Sequence, residues 1–506
     1  MAVPGAKAFV LNAFWQGRAI GYRCYWFLRS LPFSAYFGLK TIVVKKFWQG
    51  RAIGYRCYWF LRSLPFKLNF VLRKLFYKYL FQYRSFKILR SVVAALNSHY
   101  FKIKVKFLHG LKGRRYVLLP ISEFAVQHAL AAIVIEPGGS KPIAGPQFLG
   151  NYPFKPIGDP VVQLNMPQLE IYPLQNAAVI GGANFICMND RIVYPDVYLP
   201  ERDVCPAELN GIAKINLATK TVSLFSSQSD SLKNGVSLLG SCTGNYAHWL
   251  TETLPKLLLV DSVEGWEDYP LLVDAWIHPN FVKSIELFNK NRREIIRIKR
   301  WEMVNVESLI EVTPPAYIPP EYRNFLKTKE LSVPDAAEFP FSAPALDMLR
   351  NAAHAATGGI DLGAPQKLYL FRSPESCGNT RHVTNIDEIE RIIRKYGYTM
   401  LDPAKLSFED QIRVFSNARK IVSPLGAALA NTIFTPPSCR VLGLSPWYHN
   451  ANYYFFSNLM GALGHTMYYA LGQQTDHFGH IVHKNYEIDL AAFEIAMKYL
   501  EASDIT

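Results

Sequence analysis

Between residues 240 and 445 short apolar strands alternate with amphipathic helices, and this alternation constrains the fold more than any other feature of the chain. The spacing predicts a helix over Ala247–Asp261 with Pro255 inside it, a strand at Tyr269–Val273 and a helix at Val282–Asn289. A proline-rich connection, TPPAYIPPEY, occupies 313–322. Beyond it the pattern gives a helix within 344–356 and strands at Lys367–Phe371, Thr399–Leu401, Lys420–Ser423 and Arg440–Leu444. Helices are expected at Ile386–Tyr396, Phe408–Ala418 and 427–433. Strands alternating with helices imply parallel sheet covered on both faces. The expected architecture is therefore α/β, two such units joined near 320–345 with a cleft between them. Upstream, from about 157 to 240, alternating stretches broken by Gly, Pro and Asn read as strands and turns.

A length of 506 residues fits two main domains plus an appendage, and charge marks the appendage. The first acidic residue is Glu123: residues 1–122 carry 23 Lys and Arg, leaving 32 basic and 40 acidic side chains on the other 384 residues. The net charge of +15 thus belongs to one segment, and the rest of the chain is acidic by 8. The boundaries read from this are a basic, aromatic-rich extension over 1–122, domains over 123–335 and 336–480, and a C-terminal helix over 481–506. Within the extension Leu68, Leu72, Leu75, Phe76, Tyr79, Tyr83 and Phe86 recur at helical spacing, with Lys74, Lys78 and Lys87 off that stripe. This is the pattern of a helix lying in a membrane interface. Residues 67–115 are accordingly read as the contact to an anionic membrane surface, each basic residue adding about 1 kcal/mol. Nucleic acid also rewards Lys and Arg, but only this segment favours it, and the reading taken is no nucleic-acid partner. Residues 14–33, FWQGRAIGYRCYWFLRSLPF, recur unchanged at 47–66, so 1–66 is not expected to carry chemistry. No apolar run reaches the 18 residues of a spanning helix, and the seven cysteines include no C-x-x-C. The expected location is the cytoplasm, peripheral on the inner face of the cell membrane.

Three clusters carry candidate chemistry. In GNYAHWLTETLPKLLLVD, 244–261, His248 and Glu252 stand four apart on one helical face, as a base and its orienter would. A surface pair or a core histidine gives the same spacing. In KLYLFRSPESCGNTRHVTNIDEIERII, 367–393, Arg372 follows a strand directly and Arg381 lies in the loop after it, where phosphates are held by charge-assisted forks. Asn385 precedes an acidic helix start as an N-cap does. Solvated loop arginines are the alternative. In KIVSPLGAALANTIF, 420–434, a strand, a tight turn and a helix would offer backbone N–H groups and a helix dipole to a diphosphate beside Gly426 and Ala427. Small residues also serve tight strand–helix packing.

In this order the clusters resemble glycosyltransferase family 61 from about 157 to 475: G-N-Y-x-H-W at 244–249, the strand Arg at 372, R-x-x-x-N at 381–385, L-S-F-x-x-Q at 406–411 and G-A-x-L-x-N at 426–431. The resemblance implies a GT-B architecture of two Rossmann-like domains and an inverting, metal-independent transfer with no cofactor beyond a nucleotide-sugar donor. It puts donor binding in the second domain, on Arg372, Arg381, Ser407, Gly426, Ala427 and Asn431. The acceptor lies on the first, with His248 or Glu252 as base and Asn245, Tyr246, Trp249 and Asn385 in acceptor-side or structural places. The acceptor implied is a glycan or lipid-linked glycan of a surface polysaccharide such as capsule or lipopolysaccharide. Two positions depart from the pattern: many members have P-H-G-A where this chain has Pro424-Leu425-Gly426-Ala427, and V-L-E-L where it has Val441-Leu442-Gly443-Leu444. A changed donor is the reading favoured; the competing one is a catalytically silent scaffold or glycan-binding protein at the membrane.

Overall fold

The computed structural model describes residues 114–502, apart from 154–155, 204–212, 225–226, 229–230, 320–330, 372–380 and 477–480. The expected interfacial helix at 68–86, the duplicated segment and Arg372 lie outside the described residues.

The larger sheet runs in the order β14 (Ile295–Ile298), β13 (Leu271–Asp274), β12 (Leu232–Ser237), β15 (Glu302–Val312), β6 (Leu169–Ile180), β7 (Ile186–Met188), β8 (Arg191–Tyr194), β1 (Arg114–Pro120), β10 (Thr221–Leu224) and β9 (Ala213–Asn216). Two short strands join its middle, β11 (Ser227–Gln228) on β15 and β2 (Ile133–Glu136) on β6. The smaller sheet runs β17 (Thr399–Leu401), β16 (Lys367–Leu370), β18 (Lys420–Pro424), β19 (Arg440–Trp447), β20 (Thr466–Gln474) and β21 (Tyr486–Ile488), with β4 (Gln147–Phe148) also on β20. A separate hairpin pairs β3 (Gly139–Ala144) with β5 (Val161–Met166).

Each large sheet contains one parallel segment. β12, β13, β14 and β15 are mutually parallel, and the chain returns past β12 to place β15 on its other side. β16 to β20 are parallel in the spatial order 2-1-3-4-5, again reversing direction beside the first strand. Such reversals leave a crevice at the carboxyl ends of the strands. The rest of the larger sheet, from β6 outward, is mostly antiparallel and accounts for the strand-and-turn texture of 157–240.

The helices are α1 (Ile121–Gln127), α2 (Pro200–Asp203), α3 (Tyr246–His248), α4 (Leu254–Val260), α5 (Pro279–Phe288), α6 (Ala343–Ala356), α7 (Ile386–Lys395), α8 (Phe408–Phe415), α9 (Tyr454–Ala462) and α10 (Leu490–Ala502). A continuous buried core joins Ile171 and Val236 of the larger sheet, through Trp249, Leu257, Phe281, Leu346, Phe415 and Leu429, to Val441 and Tyr469 of the smaller. The helices of the middle of the chain are thus shared between the sheets. Chain order does not separate the halves either, because β4, from residues 147–148, pairs with the second sheet. Arg114–Pro120 is an interior strand of the larger sheet, paired to both β8 and β10.

Two local expectations are refined. The helix predicted over 247–261 is broken by a π-turn, Trp249–Thr253, with Pro255 in the first turn of α4. Pro255 has no N–H to donate back to Thr251, and the Thr251 hydroxyl bonds the Ala247 carbonyl at 2.8 Å, so the regular ladder loosens there. The helix expected at 427–433 is a 3-10 helix, Ala427–Phe434. Thr432 donates its hydroxyl to the Leu429 carbonyl at 2.7 Å, a bond three residues back that suits the tighter turn. No described helix is long and apolar enough to cross a membrane.

Candidate active site

Both parallel segments open onto one cavity of about 470 Å³. Its walls come from segments that follow carboxyl strand ends: Cys242, Asn245, Ala247 and His248 after β12, Ile318 and Pro319 after β15, Arg381 after β16, and Leu425, Gly426 and Ala427 after β18. The strand-end rule for parallel sheets thus holds on both sides of the site.

The His248 wall is built from the loop upward. Asp274, fully buried at the end of β13, accepts the backbone N–H of Gly182 at 2.8 Å and of Gly240 at 3.3 Å, and the hydroxyl of Thr243. Burial pushes its carboxyl up to about 6 despite those donors and the nearby Arg300. This carboxylate fixes the 240–244 turn that launches α3. Asn245 then caps α3, its side-chain oxygen accepting Ala247 N–H at 2.9 Å. On the next turn His248 Nδ1 lies 3.0 Å from Glu252 Oε1, with both side chains mostly buried. The same Glu252 oxygen accepts the backbone N–H of Ile318 at 2.7 Å, from the proline-rich connection. A carboxylate oxygen only accepts, so Nδ1 carries a ring proton toward it. One turn further on, buried Lys256 pairs with Glu311 of β15 at 3.0 Å and fastens α4 to the sheet.

Several of the motif residues have partners within the protein frame. The Tyr246 hydroxyl stands 2.9 Å from Gln411 Oε1 on α8 and 2.7 Å from Asn431 Oδ1 in the 3-10 helix. A phenol has one proton, so one of the two amides turns its NH2 toward the oxygen. Burial drives this phenol far above its ordinary pKa, so it stays a neutral donor. Tyr246, Gln411 and Asn431 belong to three separate sequence motifs, and they meet as a staple between the two halves. Asn431 is fully buried and is not among the residues lining the cavity. Ser407 is also accounted for by structure: it caps α8, accepting Asp410 N–H at 3.1 Å and donating to Asp410 Oδ2 at 2.6 Å, outside the cavity lining. Trp249 is a core residue, its indole N–H on Ser284 at 2.9 Å and its ring stacked on Phe281 at 5.2 Å. Asn385 stands at the N-cap position of α7 without capping it; its amide bonds Ile488 O at 2.7 Å and Ile488 N at 3.2 Å, tying α7 to β21.

The 3-10 helix beside Gly426 is held from its far end. Arg350 Nε donates to Ile433 O at 3.0 Å and His354 Nε2 lies 2.8 Å from Phe434 O, both from α6, satisfying the last carbonyls and leaving the N-terminal end toward the cavity. Sequence reasoning missed Asp274, a single carboxylate closing a strand, and the cavity wall at Ser445–Phe456. Among the described residues no group of three or more His, Cys, Asp or Glu is placed to hold a metal ion.

No curated protein matches the chain. Residues 246–442, from the Tyr246 staple through the His248–Glu252 pair to β19, match the family described as Glycosyltransferase 61. Residues 246–442 are thus a glycosyltransferase family 61 domain, and the chain is a glycosyltransferase.

Proposed function

We propose that the chain transfers a sugar from a nucleotide-sugar donor to a hydroxyl acceptor with inversion at the anomeric carbon, using the cavity at the two strand-end crevices. The observation that carries this is the His248–Glu252 pair, fixed by Ile318 N–H, with His248 lining the same cavity as the Gly426–Ala427 turn and Arg381. In the step proposed, the acceptor oxygen attacks the anomeric carbon as His248 Nε2 takes its proton, and the bond to the departing phosphate breaks with its electron pair going to the nucleoside diphosphate. Glu252 acts as the orienter, supporting the imidazolium that forms. Arg372, Arg381 and the backbone N–H groups at Gly426 and Ala427 take up the charge of the leaving group, a role that dispenses with a metal ion. In this reading the fold is a closed GT-B arrangement. The acceptor is a glycan or lipid-linked glycan of a surface polysaccharide, and residues 67–115 hold the enzyme on the inner membrane face; family resemblance and basic composition support these points.

The test is turnover by the full chain on a panel of nucleotide sugars, with His248→Ala and Glu252→Gln. Loss of a general base lowers kcat by about 10²–10⁴. The single Glu252 oxygen makes both of its bonds, so a glutamine carbonyl preserves them and only the charge support is lost. That loss is worth about 1.5–3 kcal/mol, or roughly 10–150-fold in kcat. The double variant should be scarcely worse than the poorer single one. Effects that multiply, or donor turnover that survives in His248→Ala, sink the assignment.

A further inference from the structure

Leu425, on the cavity wall, and Gly443, in the neighbouring strand, touch each other. β18 and β19 are parallel neighbours, with Ser423 beside Gly443 and Pro424 beside Leu444, and the Leu425 N–H continues the ladder to the Leu444 carbonyl at 3.0 Å. The Leu425 side chain leans back over Gly443. A methyl group added at Gly443 would stand 2.7 Å from Leu425 Cδ2 and 2.5 Å from Met467 Cε, closer than packed carbons approach. Leu425 is 9% exposed, and what it exposes is cavity wall. Gly443 therefore provides the recess that keeps Leu425 out of the ligand's space. With Ala427, Pro446, Phe455 and Phe456, Leu425 gives the cavity apolar lining; among the described residues the basic side chains of the lining, Arg381, His248 and His483, come from other segments.

We propose that Leu425 and Gly443 form one specificity element for the donor, which selects an uncharged sugar whose C–H face rests on Leu425 and rejects a hexuronate. An ionised carboxylate set against such a lining loses hydration without gaining a partner, whereas C–H surface gains from burial. The proposal rests on the nucleotide-sugar reading above. It differs from that reading in what it predicts, since a donor site alone demands no coupling between these positions.

The test measures dissociation constants for matched neutral and hexuronate nucleotide sugars, alongside melting temperature, for the parent, Leu425→Asn, Gly443→Ala, Leu425→Ala and the Gly443→Ala/Leu425→Ala double variant. The parent should favour the neutral donor by tenfold or more, and Leu425→Asn, similar in size but polar, should narrow that gap. Gly443→Ala should push Leu425 into the cavity and weaken the neutral donor about tenfold, whereas adding Gly443→Ala to Leu425→Ala should weaken it no further than Leu425→Ala alone. A parent that binds neutral and hexuronate donors alike, or a gap that Leu425→Asn leaves unchanged, overturns the proposal. If Gly443→Ala leaves neutral-donor affinity at the parent's value, or weakens it equally with and without the Leu425 side chain, the contact is packing alone and the proposal fails. A parent that binds no nucleotide sugar of either kind overturns the donor reading with it.

Discussion

Two buried titrating groups, one on each side of the core, should oppose each other as the pH falls. His465 is held neutral: its Nδ1 accepts the Cys439 N–H at 3.3 Å, and its Nε2 lies 2.9 Å from the Thr435 hydroxyl and 3.1 Å from the Thr432 carbonyl. Burial depresses its pKa from 6.5 to about 4, with the Arg350 charge adding to the effect. A pKa lower in the folded state means that the unfolded chain takes the proton first. The His465 contribution is therefore complete above pH 6.5 and is lost as the pH falls through 6.5 toward 4, by roughly 3 kcal/mol at about 1.4 kcal/mol per tenfold in proton affinity. Asp274 runs the other way, from 3.8 up to about 6. Its protonated form is favoured on folding, so its contribution is complete below 3.8 and is lost as the pH rises through about 6, again by roughly 3 kcal/mol. Denaturant unfolding from pH 7 to 4 should show the two terms cancelling in the parent. His465→Gln, whose amide can both accept from Cys439 and donate to Thr432, should gain roughly 3 kcal/mol on the parent over that range. Asp274→Asn should lose a similar amount, on top of a constant penalty for turning an NH2 toward a backbone N–H. If His465→Gln tracks the parent in parallel across the whole range, the reasoning for His465 is refuted.

Tyr246→Phe leaves the Gln411 and Asn431 amides without their shared hydroxyl inside the core; it should cost about 1–3 kcal/mol in denaturant unfolding, and an unchanged midpoint would mean that the staple carries no load. Arg372→Lys keeps the charge and loses the fork, so it should weaken nucleoside diphosphate binding in calorimetry; equal affinity counts against a phosphate contact. A chain beginning at residue 105 should keep donor turnover and lose co-sedimentation with anionic vesicles at low salt; equal partitioning of the two chains refutes the membrane reading.

The elements of the parallel segments were legible because their apolar runs are short and bounded by caps and turns. Thr399–Leu401 matches residue for residue, and α5, α6, α7 and β13 fall within a few residues of expectation. β14 and β15 went unread, since IIRI is a four-residue edge strand and EMVNVESLIEV mixes polar residues into an interior one. The His248–Glu252 contact was readable from its spacing, whereas the partner that settles Glu252, the Ile318 backbone, is sixty-six residues away and has no side-chain signature. Tyr246, Gln411 and Asn431 were visible as motif residues but not as one another's partners. A motif marks constraint, and sequence does not say whether ligand or frame imposes it. Asp274 was invisible because its role depends on three donors that only the folded loops bring together.

The core that runs unbroken from Ile171 to Tyr469 bears on how such a protein can change over time. With separate cores, a donor half could be exchanged between relatives by recombination at the proline-rich connection. Here α3, α4 and α5 are encoded before that connection and pack in one core with α6 and α8, encoded after it. A crossover at 313–322 would set helices against partners they have not been fitted to, and each isolated half would expose the face that the other covers. New donor preference is then reached more readily by small paired changes inside the cavity than by trading modules, and the chain should unfold as a single cooperative block.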